Sequence, residues 1–305
     1  MSLEQMTYKL EPAGHDAPAP KRKYTKPDRK LAQAFKKYLA SSKQVFTTTS
    51  HSRAIDCIRN LERDIKNEQI TADELHSLLH KYADHPCIIT SAPFFSQTYN
   101  LMPQRTFFLD IDIGKPLEGI GCYLNPDKIL VVLTGTGRNL GEKSKGTILN
   151  YGQAKDDHIG HGNQGLIVNY ENTYAMGGNE VLGTVINQAE RSSRLLLLRD
   201  QTGYLIDYAP KRKMSGVEKE NNDAHISGFK EDSKKNYAIY KMLRTKKPLV
   251  PKVWDYLQKL KILLEPGKHD YKKAVSAIET LGTNPAKVIR ETLDDLFKGS
   301  DYDDA

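Results

Sequence analysis

Asp110 and Asp112 stand two residues apart within Phe107 to Ile113, where alternation predicts a strand over 106–113. Residues two apart on a strand share a face, so both carboxylates project together while Leu109, Ile111 and Ile113 turn toward a core. Carboxylates so placed can hold Mg²⁺ or Mn²⁺ and share the ion with substrate phosphates. Two such ions activate the attacking oxygen and stabilise the leaving one. The same pair also suits an antiparallel strand whose outer face is simply wet. Asp207 closes another expected strand, Tyr204 to Tyr208, and is available as a third carboxylate.

Three further segments carry chemical potential. Thr134, Gly135, Gly137 and Arg138 open a glycine-rich stretch after the apolar run Ile129 to Leu133. Glycines let backbone amides approach a phosphate, and Arg138 would add charge, although a plain turn between strands explains the stretch equally. Asp156, Asp157, His158 and His161 gather possible metal ligands in a loop, with His161 an alternative general base. Cys57 could serve as a nucleophile beside His161, or simply pack in its helix. Lys211 follows Asp207 closely enough to meet any phosphate bound there.

The run Phe108 to Ile113, preceded by Ser96, Gln97 and Thr98 and followed later by Leu205, Ile206 and Asp207, resembles the two-metal nucleotidyltransferases related to DNA polymerase β and the cyclic-nucleotide synthases. Those enzymes carry a Gly-Ser turn, a D-x-D strand, a third Asp on a neighbouring strand and often a helical end. The resemblance implies that Asp110, Asp112 and Asp207 are catalytic metal ligands and that Ser96 contacts phosphate. Phe95 occupies the place of the glycine in that turn, so the permissive residue is absent.

The elements that must position these groups read as helices, then a sheet, then helices. Residues 1–27 form a basic arm expected to be disordered, with Pro12, Pro18, Pro20, Lys21, Arg22, Lys23 and Lys26. A helical segment over 28–90 holds three helices. Leu31, Phe35 and Leu39 stripe the first, Ile55, Ile58, Leu61 and Ile65 the second. The third opens on a capping box at Thr71 and Glu74. A sheet-rich core spans 91–223, with strands near 106–113, 129–133 and 166–168, a helix near 179–190, and a hairpin joining 195–198 to 204–208. A helical segment over 224–305 includes a start at Asn284 and Pro285. The fold class expected is α+β, a central mixed or antiparallel sheet flanked by helical ends. No internal repeat is read from the sequence.

Composition bounds the reading. The 305 residues carry a net charge of +7, which favours an anionic partner. Cys57, Cys87 and Cys122 form no close pair, so neither a disulfide framework nor a zinc cluster is expected. The first 25 residues lack an apolar signal core, and no apolar run is long enough to span a membrane. The expected setting is cytoplasmic. The leading expectation is a Mg²⁺-dependent nucleotidyl- or phosphoryl-transferase acting on a nucleotide. One alternative is a nucleic-acid-binding or host-interaction protein working through the basic arm. Another is a cysteine hydrolase or ADP-ribosyl-type transferase centred on residues 134–170.

Overall fold

Four segments share one five-residue pattern, glycine first and an amide or acid last: Gly146 to Asn150, Gly165 to Asn169, Gly183 to Asn187 and Gly203 to Asp207. The computed structural model explains that pattern. It describes residues 27, 29–42, 60–61, 63–65, 69–110, 113–133, 135–152, 159–171, 173–178, 182–188, 192–197, 204–207, 258, 261, 271–279 and 285–297. The basic arm over 1–26, Cys57, Asp112, Thr134, residues 156–158 and Lys211 lie outside the described residues.

The strands are β1 (Thr106–Leu109), β2 (Ile129–Val132), β3 (Thr147–Asn150), β4 (Leu166–Asn169), β5 (Thr173–Gly178), β6 (Thr184–Asn187), β7 (Ser192–Leu197) and β8 (Tyr204–Asp207). Six form one sheet in the order β1-β2-β3-β4-β6-β8, every neighbouring pair parallel. β5 and β7 make a second, parallel pair. Strand starts along the large sheet fall 18 to 23 residues apart, all in matching register. Successive strands of the large sheet run parallel side by side, with β5 and β7 lying within two of the connections, so the chain coils as a parallel β-solenoid. Corner hydrogen bonds follow the same period: Gly141 N donates to Ile120 O at 2.8 Å, and Gly160 N to Leu140 O at 2.9 Å.

This geometry corrects four expectations. The α+β class stands, but the sheet is parallel, neither mixed nor antiparallel. The expected 195–208 hairpin is two strands in different sheets, because β7 pairs with β5 while β8 pairs with β6. The helix expected near 179–190 contains β6 instead; Val181, Val185 and Ile186 mimic a helical stripe, and pairing on both sides decides the conformation. The repeat missed in the sequence is real, but only a few positions of each coil are constrained.

Those positions have distinct physical causes. Gly146, Gly165 and Gly183 stack where successive coils touch. A β-carbon on Gly165 would lie 2.0 Å from Gly146 O, and one on Gly183 would lie 2.2 Å from Gly165 O. Asn150, Asn169 and Asn187 form a buried ladder: Asn150 Nδ2 donates to Asn169 Oδ1 at 2.7 Å, and Asn169 Nδ2 to Asn187 Oδ1 at 2.9 Å. At the corners, Gly121, Gly141 and Gly160 hold positive φ and lie against Ile148, Ile167 and Val185.

Both faces of the sheet are covered, which is why its inner strands are buried along their whole length. Leu130, Val132, Ile148, Ile167 and Val185 belong to a core continuous with the N-terminal helices α1 (Arg29–Ser42), α2 (Ala72–Lys81) and α3 (Ala92–Leu101). Val131, Leu149, Val168 and Ile186 meet Ala274, Ile278, Ile289 and Leu293 of α4 (Tyr271–Glu279) and α5 (Pro285–Phe297). Tyr204 ties β8 to α5, donating to Asp294 Oδ1 at 2.6 Å beneath the Arg290 guanidinium. Burial, with Asp294 beside it, pushes the Tyr204 hydroxyl up to about 12. At the other edge, the His76 ring meets Phe108 O at 3.0 Å and anchors α2 to β1.

Candidate functional site

Of the three candidate aspartates, Asp110 and Asp207 do not converge. β1 ends at Leu109 rather than running to Ile113, and half-buried Asp110 follows it. Asp207 ends β8, at the opposite edge of the six-stranded sheet. Five strand spacings separate those edges, roughly 24 Å, so Asp110 and Asp207 cannot share one ion. Asp207 instead takes the register position beside Asn187. Among the described residues, no three His, Cys, Asp or Glu groups gather as a metal site.

Two of the expected phosphate contacts, Ser96 and Gly137, are engaged by the fold. Ser96 is buried in α3; its hydroxyl donates to Ala92 O at 3.0 Å and accepts from Gly121 N at 2.8 Å. It fastens a helix to a solenoid corner. The glycine-rich stretch is itself a corner. Gly135 enters it, Gly137 N donates to Leu117 O at 2.8 Å, and Arg138 O accepts from Gly119 N at 2.8 Å. The Gly137 amide, committed to the neighbouring coil, cannot also cradle a phosphate. The Arg138 side chain is exposed. His161 lies at the next corner along, where its carbonyl accepts from Lys143 N at 2.9 Å. Cys87 and Cys122 are buried free thiols, and burial raises Cys122 far above its ordinary value.

A different feature stands out on the surface. The apolar stripe of α1 is spent inside, where Leu31, Phe35 and Leu39 are buried and Phe35 meets Phe94 with ring centroids 4.9 Å apart. Tyr38 adds a hydrogen bond to Thr90 O at 2.9 Å. The opposite face exposes Arg29, Lys30, Gln33, Lys36 and Lys37. Its first turn holds no acid and its last turn no base, so Arg29 and Lys30 sit at the positive end of the helix dipole. That placement costs about 0.3–1 kcal/mol per charge. Lys37 reaches Asp64 at 3.2 Å, and the hydrogen bonds of Arg63 and Lys37 hold the Asp64 carboxyl below its usual value. Arg29 and Lys30 continue the basic run of the arm, and Lys36 and Lys37, seven and eight residues after Arg29, extend it along one helical face.

No family model, curated protein or solved structure matches the chain.

Proposed function

We propose that the chain binds an anionic polymer, with nucleic acid the partner its chemistry fits best, through the outer face of α1 and the basic arm that leads into it. The observation carrying this reading is the set of exposed cations on α1, two of them placed against the helix dipole. Cations exposed along one helical face are placed to follow a polyphosphate backbone, which gains counterion release when they bind. The arm adds Lys21, Arg22, Lys23 and Lys26 immediately upstream, and the whole chain carries +7.

Nucleic acid is favoured over a membrane surface for a structural reason. A helix lying in a lipid interface needs an apolar face for the acyl chains. The apolar face of α1 is committed to the core, and its outer face holds no large apolar side chain. Titration of the full chain with a fluorescent single-stranded oligonucleotide and, separately, with phosphatidylserine vesicles tests the reading. Oligonucleotide binding should weaken steeply with salt, and Arg29→Gln with Lys36→Gln should lower the log–log slope by roughly 1.4 for a single strand. Vesicle binding with no oligonucleotide binding, or a slope unchanged by the substitutions, would overturn it.

A further inference from the structure

A cleft of about 220 Å³ lies where α3 meets the first two solenoid corners. Leu61, Leu101 and Leu124 give it an apolar side, while Lys143 and Lys145 supply two cations; no carboxylate is among its lining residues. Its polar floor is fixed in advance. Gln97 Nε2 donates to Cys122 O at 2.9 Å, and Asn100 Nδ2 donates to Gln97 Oε1 at 3.0 Å and Tyr123 O at 2.9 Å. Asn100 Oδ1 in turn accepts from Asn125 N at 2.9 Å. A floor held this way loses little freedom when a ligand arrives.

Backbone conformation points to the same place. Tyr123, Lys143 and Gly162 are equivalent corner positions on successive coils, with φ of 54°, 53° and 63°. The left-handed region favours glycine, and the third coil has one. The first two coils instead keep a tyrosine and a lysine there, and both line the cleft. Side chains retained at a backbone cost, beside a cationic concavity, are the sort of local strain that marks a binding surface.

We propose that this cleft is a binding site for a small organic phosphate ester, whose phosphate meets Lys143 and Lys145 and whose organic part lies against Leu61, Leu101 and Leu124. The site is separate from the polymer-binding face of α1 and does not depend on it. Calorimetric titration of the full chain with AMP and with inorganic phosphate tests it. AMP should bind at least about fivefold more tightly than inorganic phosphate, because only the ester uses the apolar side. Lys143→Gly and Lys145→Gln should each weaken AMP about tenfold, the loss of a close charge contact. Lys143→Gly relaxes the left-handed backbone and should keep the melting temperature at or above the native value; Lys145 is exposed, so its variant folds regardless. Arg29→Gln with Lys36→Gln should leave AMP affinity within about twofold, which separates failure of this site from failure of the α1 reading. Absence of AMP binding at millimolar concentration, equal affinity for the two probes, or affinity unmoved by both lysine changes would overturn the proposal.

Discussion

Two helices of the N-terminal layer carry their charges in opposite senses. α2 places Asp73 and Glu74 in its first turn and His80 and Lys81 in its last, in keeping with its dipole. Its capping box is complete: Thr71 Oγ1 accepts from Glu74 N at 3.3 Å, and Thr71 N donates to Glu74 Oε2 at 2.9 Å. α1 has no acid in its first turn and no base in its last, yet it exposes four cations. Both helices bury a full apolar stripe in the same core. Packing therefore holds both, and local electrostatics helps only one. The charges of α2 follow its dipole, whereas the cations that open α1 oppose the dipole of that helix.

That contrast presumes a rigid scaffold under both helices, and the largest expected effect tests the scaffold. Gly165→Ala sets a β-carbon 2.0 Å from Gly146 O, against backbone that cannot yield without parting two coils. Thermal or urea unfolding should show a loss of about 3 kcal/mol. Retention of native stability would mean the coils are not stacked as described. Next in size is α2 itself. Thr71→Ala removes the cap and should cost about 1 kcal/mol, measurable as a lower urea midpoint at unchanged slope.

Arg29→Glu should move stability the other way. It replaces a cation at the positive end of α1 with an anion, and should stabilise by about 0.5 kcal/mol while weakening oligonucleotide binding. A destabilised variant would mean that Arg29 supports the fold and would remove the contrast with α2. The smallest effect belongs to Asp207→Asn, which supplies the residue type found at the ladder positions. Its melting temperature and oligonucleotide affinity should stay close to native, within about 0.5 kcal/mol. Loss of an activity on that single change would return Asp207 to a metal-ligand role.

The legible parts of the sequence were those governed by local rules. The Leu31, Phe35 and Leu39 stripe, the Thr71 box and the Pro285 helix start all depend on residues within a few positions of each other. The solenoid depends on partners about twenty residues away, and four-residue strands carry too short a period to announce their pairing. Gly203 beside Asp200 read as a hairpin turn, although a glycine recurs at the same place before β3, β4 and β6. The distance between Asp110 and Asp207 was hidden for the same reason. Asp207 and the glycine-rich stretch looked chemical in isolation, and only alignment of the coils shows one in register beside Asn187 and the other as a corner. Lys143 gave no signal at all, since its left-handed backbone is visible only beside Tyr123 and Gly162.

The central claim is that the cations of α1, and not basic charge in general, meet the anionic partner. Lys36→Glu on α1 and Lys81→Glu on α2 change net charge equally, and both lysines are exposed. Oligonucleotide affinity of each variant should be measured by fluorescence anisotropy across a salt series. Lys36→Glu should weaken binding at least about fivefold and lower the salt slope by about 0.7, while Lys81→Glu should leave the slope within error of the native chain. Equal losses from the two substitutions would reduce the interaction to overall charge and contradict the account.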